Sequence, residues 1–104
     1  MPGLERVTKP TLDVLEVLLT SPEPSVHGWS LVKATGLTGP TVYGILDRLE
    51  GADWVSSIWE ELTEHQNRPR RRCYTLTSKG HEQARNLLAE RRPQVHPSVP
   101  GGVA

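Results

Sequence analysis

The stretch "KATGLTGPTVY", Lys33 to Tyr43, constrains the fold more than any other part of the chain. Gly36 stands where a helix ending at Thr35 takes a left-handed residue. A second helix begins almost at once, with Thr38 as its N-cap and Pro40 near its first turn. Trp29, Leu31 and Val32 supply the apolar content of a short helix from His27 to Thr35, and Val42, Ile45, Leu46 and Leu49 share one face of the next, with Gly51 as its expected stop. Two helices joined across about four residues containing glycine form a helix-turn-helix.

The flanks extend the motif. Pro10 opens a first helix over about residues 10–20, with Leu12, Leu15, Leu18 and Leu19 at helical spacing, and the two prolines of "SPEPS" end it. After Gly51 the period changes to two: Val55, Ser57 and Trp59 alternate with Ser56, Ile58 and Glu60. "ELTEHQNRP" reads as a hairpin loop, and the chain returns as a strand from Arg71 to Leu76, where Arg72, Tyr74 and Leu76 share a face. Thr77 then caps a last helix running to about Arg92, with Ala84, Leu87, Leu88 and Arg91 at three- and four-residue steps; Gly80 in its first turn reads as a mild weakness. The expected fold is mainly α with a small β-hairpin, a winged helix-turn-helix plus one C-terminal helix. Its expected parts are a flexible N-terminus (1–8), a winged helix-turn-helix domain (9–76), a dimerisation helix (77–92) and a disordered tail (93–104).

A chain of 104 residues is one domain with one core. Its formal net charge is zero, but the charge is unevenly placed. Residues 1–67 carry four basic and ten acidic residues, whereas residues 68–92 carry eight basic and two acidic, so an anion-binding surface must be a local patch. The lone Cys73 excludes an intramolecular disulfide. With no long apolar run and no signal-peptide pattern, the chain reads as a cytoplasmic protein that makes no contact with membranes. Catalysis finds no support. His27, His65, His81 and His96 are scattered without ligand spacing to one another or to Cys73, and there is no phosphate-binding glycine loop and no nucleophile with a base, so neither enzyme activity nor a metal nor a cofactor is expected.

The second helix of a helix-turn-helix can enter the major groove of double-stranded DNA with its N-terminal residues against bases and phosphates. Here those residues are Thr38, Gly39, Thr41 and Tyr43: hydroxyl donors, a close backbone approach and an exposed helix N-terminus. Arg48, flanked by Asp47 and Glu50, fits a surface ion pair better than a DNA contact. Of the cluster "RPRRR", Arg68 and Arg70 near the loop are expected to reach phosphates or the minor groove; Arg71 and Arg72 either do the same or pair with Glu60 and Glu61 across the ladder. The narrow apolar stripe of the last helix fits either the chain's own first helix or the same helix of a second copy. A symmetric homodimer is the favoured reading, with Leu12, Leu15 and Leu19 completing an interface built on Ala84, Leu87, Leu88 and Arg91. The alternative function is a protein-interaction winged helix docking an acidic partner.

The segments "HGWSLVKATGLTGPTVYGILDRLEGADWV" and "RPRRRCYTLTSKG" resemble the PadR family of bacterial transcriptional regulators over roughly residues 10–92. The resemblance implies a homodimeric, repressor-like DNA binder in which Thr41, Tyr43 and their neighbours meet the DNA. It also implies wing arginines on the backbone or minor groove, a dimer made by the last helix with the first, and membership of the short subgroup with a single C-terminal helix. The chain departs from the family pattern at Gly44, where proline is usual, at His27, which replaces tyrosine, and at Cys73, which replaces an aromatic residue. Some relatives bind flat aromatic ligands between the first and last helices, but the last helix here has no aromatic residue and no effector is predicted.

Overall fold

The computed structural model describes residues 7–93; the expectations for most of the N-terminus and for the tail fall outside them. The first helix, α1 (Lys9–Thr20), is capped by Thr8, whose hydroxyl accepts the N–H of Thr11, and it has Pro10 in its first turn. Leu12, Val14, Leu15 and Leu18 are buried along it. A two-residue strand, β1 (Val26–His27), leads directly into α2 (Gly28–Thr35), which ends at Gly36 with φ 76°. Thr38 caps α3 (Gly39–Gly51), and Val42, Ile45, Leu46 and Leu49 are its buried face.

Gly51 is the last residue of α3, as expected, but it does not end the helix by turning left-handed. The left-handed residue is Asp53, at φ 70°. The backbone shows why: Asp53 N–H donates to Glu50 C=O at 3.0 Å and Trp54 N–H to Leu49 C=O at 2.8 Å, the paired bonds of a Schellman termination. Trp54 and Leu49 are both buried, so apolar burial at Trp54 sets the exit of the helix.

The strands β2 (Val55–Trp59) and β3 (Arg72–Leu76) pair antiparallel, with Val55 opposite Leu76, Ser57 opposite Tyr74 and Trp59 opposite Arg72. On the other side of β3, β1 adds a third strand, with Val26 opposite Tyr74 and His27 opposite Cys73. The expected hairpin is therefore a three-stranded sheet, and His27 is the last residue of a strand and the N-cap of α2.

The last helix, α4 (Ser78–Arg91), begins at Thr77, which accepts from Gly80 N–H at 2.9 Å and donates to Asp53 C=O at 2.7 Å. Gly80 is a requirement of this junction: a Cβ there would lie 1.8 Å from the carbonyl oxygen of Trp54. From there α4 folds back on α1 of its own chain, where Arg92 binds Asp13 at 2.8 Å and Glu16 at 2.6 Å. Leu12, Leu15, Ala84 and Leu88, expected at a dimer interface, are buried in the core of the single chain. Leu19 and Leu87 pack at its edge, and Arg91 is exposed. The spacing that made α4 apolar on one stripe is satisfied by the molecule itself. No helix among the described residues is long and apolar enough to cross a membrane.

Candidate nucleic-acid interface

Gly36, the Thr38 cap and Pro40 in the first turn set the start of α3, and its first residues lie at the surface. The Thr38 hydroxyl is spent locally, accepting Thr41 N–H and donating to Thr41 Oγ1 at 2.9 Å. Thr41 Oγ1 accepts that bond, so its own proton is left for an outside acceptor. Thr38, Thr41 and Tyr43 are exposed, and Gly39 is half-exposed between them. The Tyr43 ring lies over Gly28, where a Cβ would come within 2.4 Å of it. Gly28, to which the sequence attached no role, thus seats the aromatic residue of α3 against the start of α2.

The wing arginines divide differently from the expected outer and inner pairs. Arg68 is held by the Glu60 carboxylate, and the same Glu60 Oε1 accepts the backbone N–H of Arg71 at 3.1 Å. The Arg68 guanidinium holds the Glu60 carboxyl below the ordinary glutamate range. Arg72 is fixed as well. Its Nε donates to Ser57 Oγ at 2.9 Å, one terminal nitrogen lies 3.7 Å from Glu50, and the guanidinium stacks 5.2 Å from the centre of the Trp59 ring. Ser57 in turn donates to Glu50 at 2.8 Å, so a three-residue link ties the sheet to the last turns of α3. Arg70 and Arg71 remain, exposed and with no side-chain ion pair among the described residues. Arg48, expected in a surface ion pair beside Asp47 and Glu50, has no ion pair among the described residues: neighbours one and two positions away on a helix do not face it, and Glu50 is engaged by Ser57 and Arg72.

Helix and wing meet at one surface. Trp29 of α2, Tyr43 of α3, and Trp59, Arg70, Arg71 and Arg72 of the wing line a cleft of about 400 Å³, together with Tyr74 and the β1–α2 junction at His27 and Gly28. Trp29 and Trp59 are 59% and 54% exposed, a large aromatic outlay to leave in water on a small domain. The cleft joins aromatic stacking surfaces with two unpaired guanidiniums, and Tyr43 belongs to the same helix whose first turns carry the exposed Thr41 hydroxyl. These are the groups that grip a phosphate backbone and present side chains to base edges. On the other face of the sheet, the side chains of His27, Glu60 and Cys73 converge, with one donor atom of each within 4.8 Å of the others. Their positions along the chain carry no ligand spacing; the three adjacent strands bring them together.

The model of the transcriptional regulator PadR-like family matches residues 14–86. A search among curated proteins gives no match. Among solved structures, a PadR family transcription regulator from Clostridium difficile superposes with a TM-score of 0.62 at 24% identity, covering 80% of this chain and 88% of that one. A MarR family transcriptional regulator from Silicibacter pomeroyi gives 0.62 at 21% identity, and a MarR family regulator from Neisseria meningitidis 0.62 at 23%, each over 84% of this chain. The chain spans 56% of the length of either of these two. At these identities the likeness is one of fold, and the fold is the winged helix anticipated from the order of elements.

Proposed function

The chain belongs to the PadR-like family of transcriptional regulators, and from that premise we propose that it binds double-stranded DNA sequence-specifically in the cytoplasm, as a homodimeric repressor on a pseudo-palindromic operator. The observation that carries the reading is the single surface shared by Tyr43 and Trp29 of the helix-turn-helix and by Arg70 and Arg71 of the wing. Thr41 and Tyr43 enter the major groove; Thr38 and Gly39 bring the N-terminus of α3 to a phosphate; Arg70 and Arg71 reach the flanking backbone or minor groove. Arg68 serves the wing's own geometry through Glu60. Residues 9–76 form the DNA-binding unit, and α4 braces it and carries the dimer contact.

In a dimer, burial of Ala84 and Leu88 in the single chain leaves Leu19, Leu87 and Arg91 at the α1 and α4 periphery as its apolar and polar contributors. Light scattering at micromolar concentration tests this directly. A dimer supports the reading, and a monomer that binds only a single half-site overturns its dimeric part. DNA binding is tested by selecting fragments of sheared genomic DNA and titrating a selected duplex against salt. Affinity is expected to fall steeply with salt concentration and to exceed that for unselected DNA. Absence of any salt-sensitive binding overturns the proposal.

A further inference from the structure

The sheet presents Val55 and Tyr74 to the core, and Ile58, 67% exposed, shows where its opposite face lies. On that face His27 of β1 stands opposite Cys73 of β3, Cys73 stands opposite Ile58, and Glu60 follows two residues beyond Ile58. The ladder continues far enough to fix Glu60, whose N–H donates to Arg71 C=O at 2.9 Å. His27 Nε2 and Glu60 Oε2 face each other at 3.6 Å. That is too long for a direct hydrogen bond, and it is the separation of two donors on one tetrahedral zinc ion, whose bonds of about 2.0–2.3 Å put neighbouring ligands roughly 3.3–3.8 Å apart. Cys73 Sγ lies within 4.8 Å of a ring nitrogen of His27 and of a carboxylate oxygen of Glu60, so side-chain rotation brings three legs of a tetrahedron together.

We propose that His27, Glu60 and Cys73 form a Zn²⁺ site that ties the three strands together at the base of the wing. The donor set of one imidazole, one carboxylate and one thiolate matches zinc and excludes the all-oxygen preference of Mg²⁺ and Ca²⁺. Glu60 is already oriented for it. Arg68 and the Arg71 N–H both engage Oε1, which leaves Oε2 turned towards His27, the arrangement by which outer partners aim a ligating carboxylate. The half-buried setting of all three residues leaves room for water as the fourth ligand. On binding, the Cys73 thiol gives its proton to solvent and the thiolate takes the metal.

The test uses the full chain in metal-free buffer and does not depend on DNA binding. Titration with Co²⁺ as spectroscopic probe is expected to give a thiolate-to-cobalt charge-transfer band that saturates at one ion per chain and is displaced by Zn²⁺. Cys73→Ser is expected to abolish the band. His27→Gln and Glu60→Gln are expected to weaken Zn²⁺ binding by about 10-fold or more in competition with a chromophoric chelator, whereas His81→Gln on α4 leaves it unchanged. The native chain with no charge-transfer band, or Zn²⁺ binding that His27→Gln and Glu60→Gln leave intact, overturns the proposal. Circular dichroism of each variant without metal separates a lost ligand from a lost fold.

Discussion

Gly80 stands in the first turn of α4, where helix propensity alone favours alanine by about 1 kcal/mol, yet a Cβ there would lie 1.8 Å from a backbone oxygen of Trp54. Gly80→Ala is therefore expected to destabilise, by about 3 kcal/mol, seen as a lower urea midpoint; a stabilised variant would show that the junction yields easily. The threonine caps Thr38 and Thr77 were legible in the sequence because each bonds an N–H three residues on, and Thr8, which the sequence reading did not single out, does the same for α1. Gly28 and Gly80 were not legible, because what crowds each is brought there by the fold: a Tyr43 ring in one case and the Trp54 backbone in the other. The arginine cluster lies between these extremes. Its charge is evident from the letters, but its division follows from which carboxylates the folded wing supplies. On the proposed DNA-binding reading, Arg70→Ala lowers the salt slope of binding by about 1, while Arg68→Ala leaves that slope near its original value, as measured by titrations at several salt concentrations.

The end of α3 falls at Gly51, where it was expected, but for a different reason. The apolar period located the helix, but the stop depends on Trp54 being drawn into the core, which puts Asp53 rather than Gly51 in the left-handed conformation. Asp53→Gly is accordingly expected to stabilise the chain by about 0.5–1 kcal/mol, raising the urea midpoint without altering DNA affinity. The Asp53 carbonyl that receives the Thr77 hydroxyl belongs to the backbone and survives the change. The strand β1 left no trace in the pattern because two residues have no period; it exists through its partner, β3. His27 and Cys73, two of the positions where the chain departs from the PadR pattern, turn out to be cross-strand neighbours. For α4 the spacing predicted a buried face but not its occupant. A stripe of Ala84, Leu87 and Leu88 fits an intramolecular helix as well as a second copy, and only the chain's path decides between them.

At the scale of the molecule, Arg92 closes the far end of α4 onto Asp13 and Glu16 of α1. Burial pushes the Asp13 carboxyl up, but its bonds to Arg92 and Lys9 outweigh this and hold it below the ordinary aspartate range. A depressed native pKa means stability that is fully present above the unfolded value and lost as pH falls through the native one. Thermal midpoints are thus expected to hold to about pH 5 and to drop below about pH 4. Asp13→Asn lowers the midpoint at neutral pH, and the gap from the native chain closes as the pH falls; a gap that persists in acid would remove Asp13 as its source. The separation of charge was readable from the sequence, since the basic residues crowd into 68–92, but the surface they make with Trp29 and Tyr43 required the fold. One link has a mechanical meaning. Because Glu50, Ser57 and Arg72 lock the sheet to α3, helix and wing form a caliper whose jaws are set before any duplex arrives. A fixed caliper measures: it accepts a helix whose grooves already match its opening and charges the rest the cost of being bent to fit. On the DNA-binding reading, base pairs that the protein never touches would then count towards its choice of site.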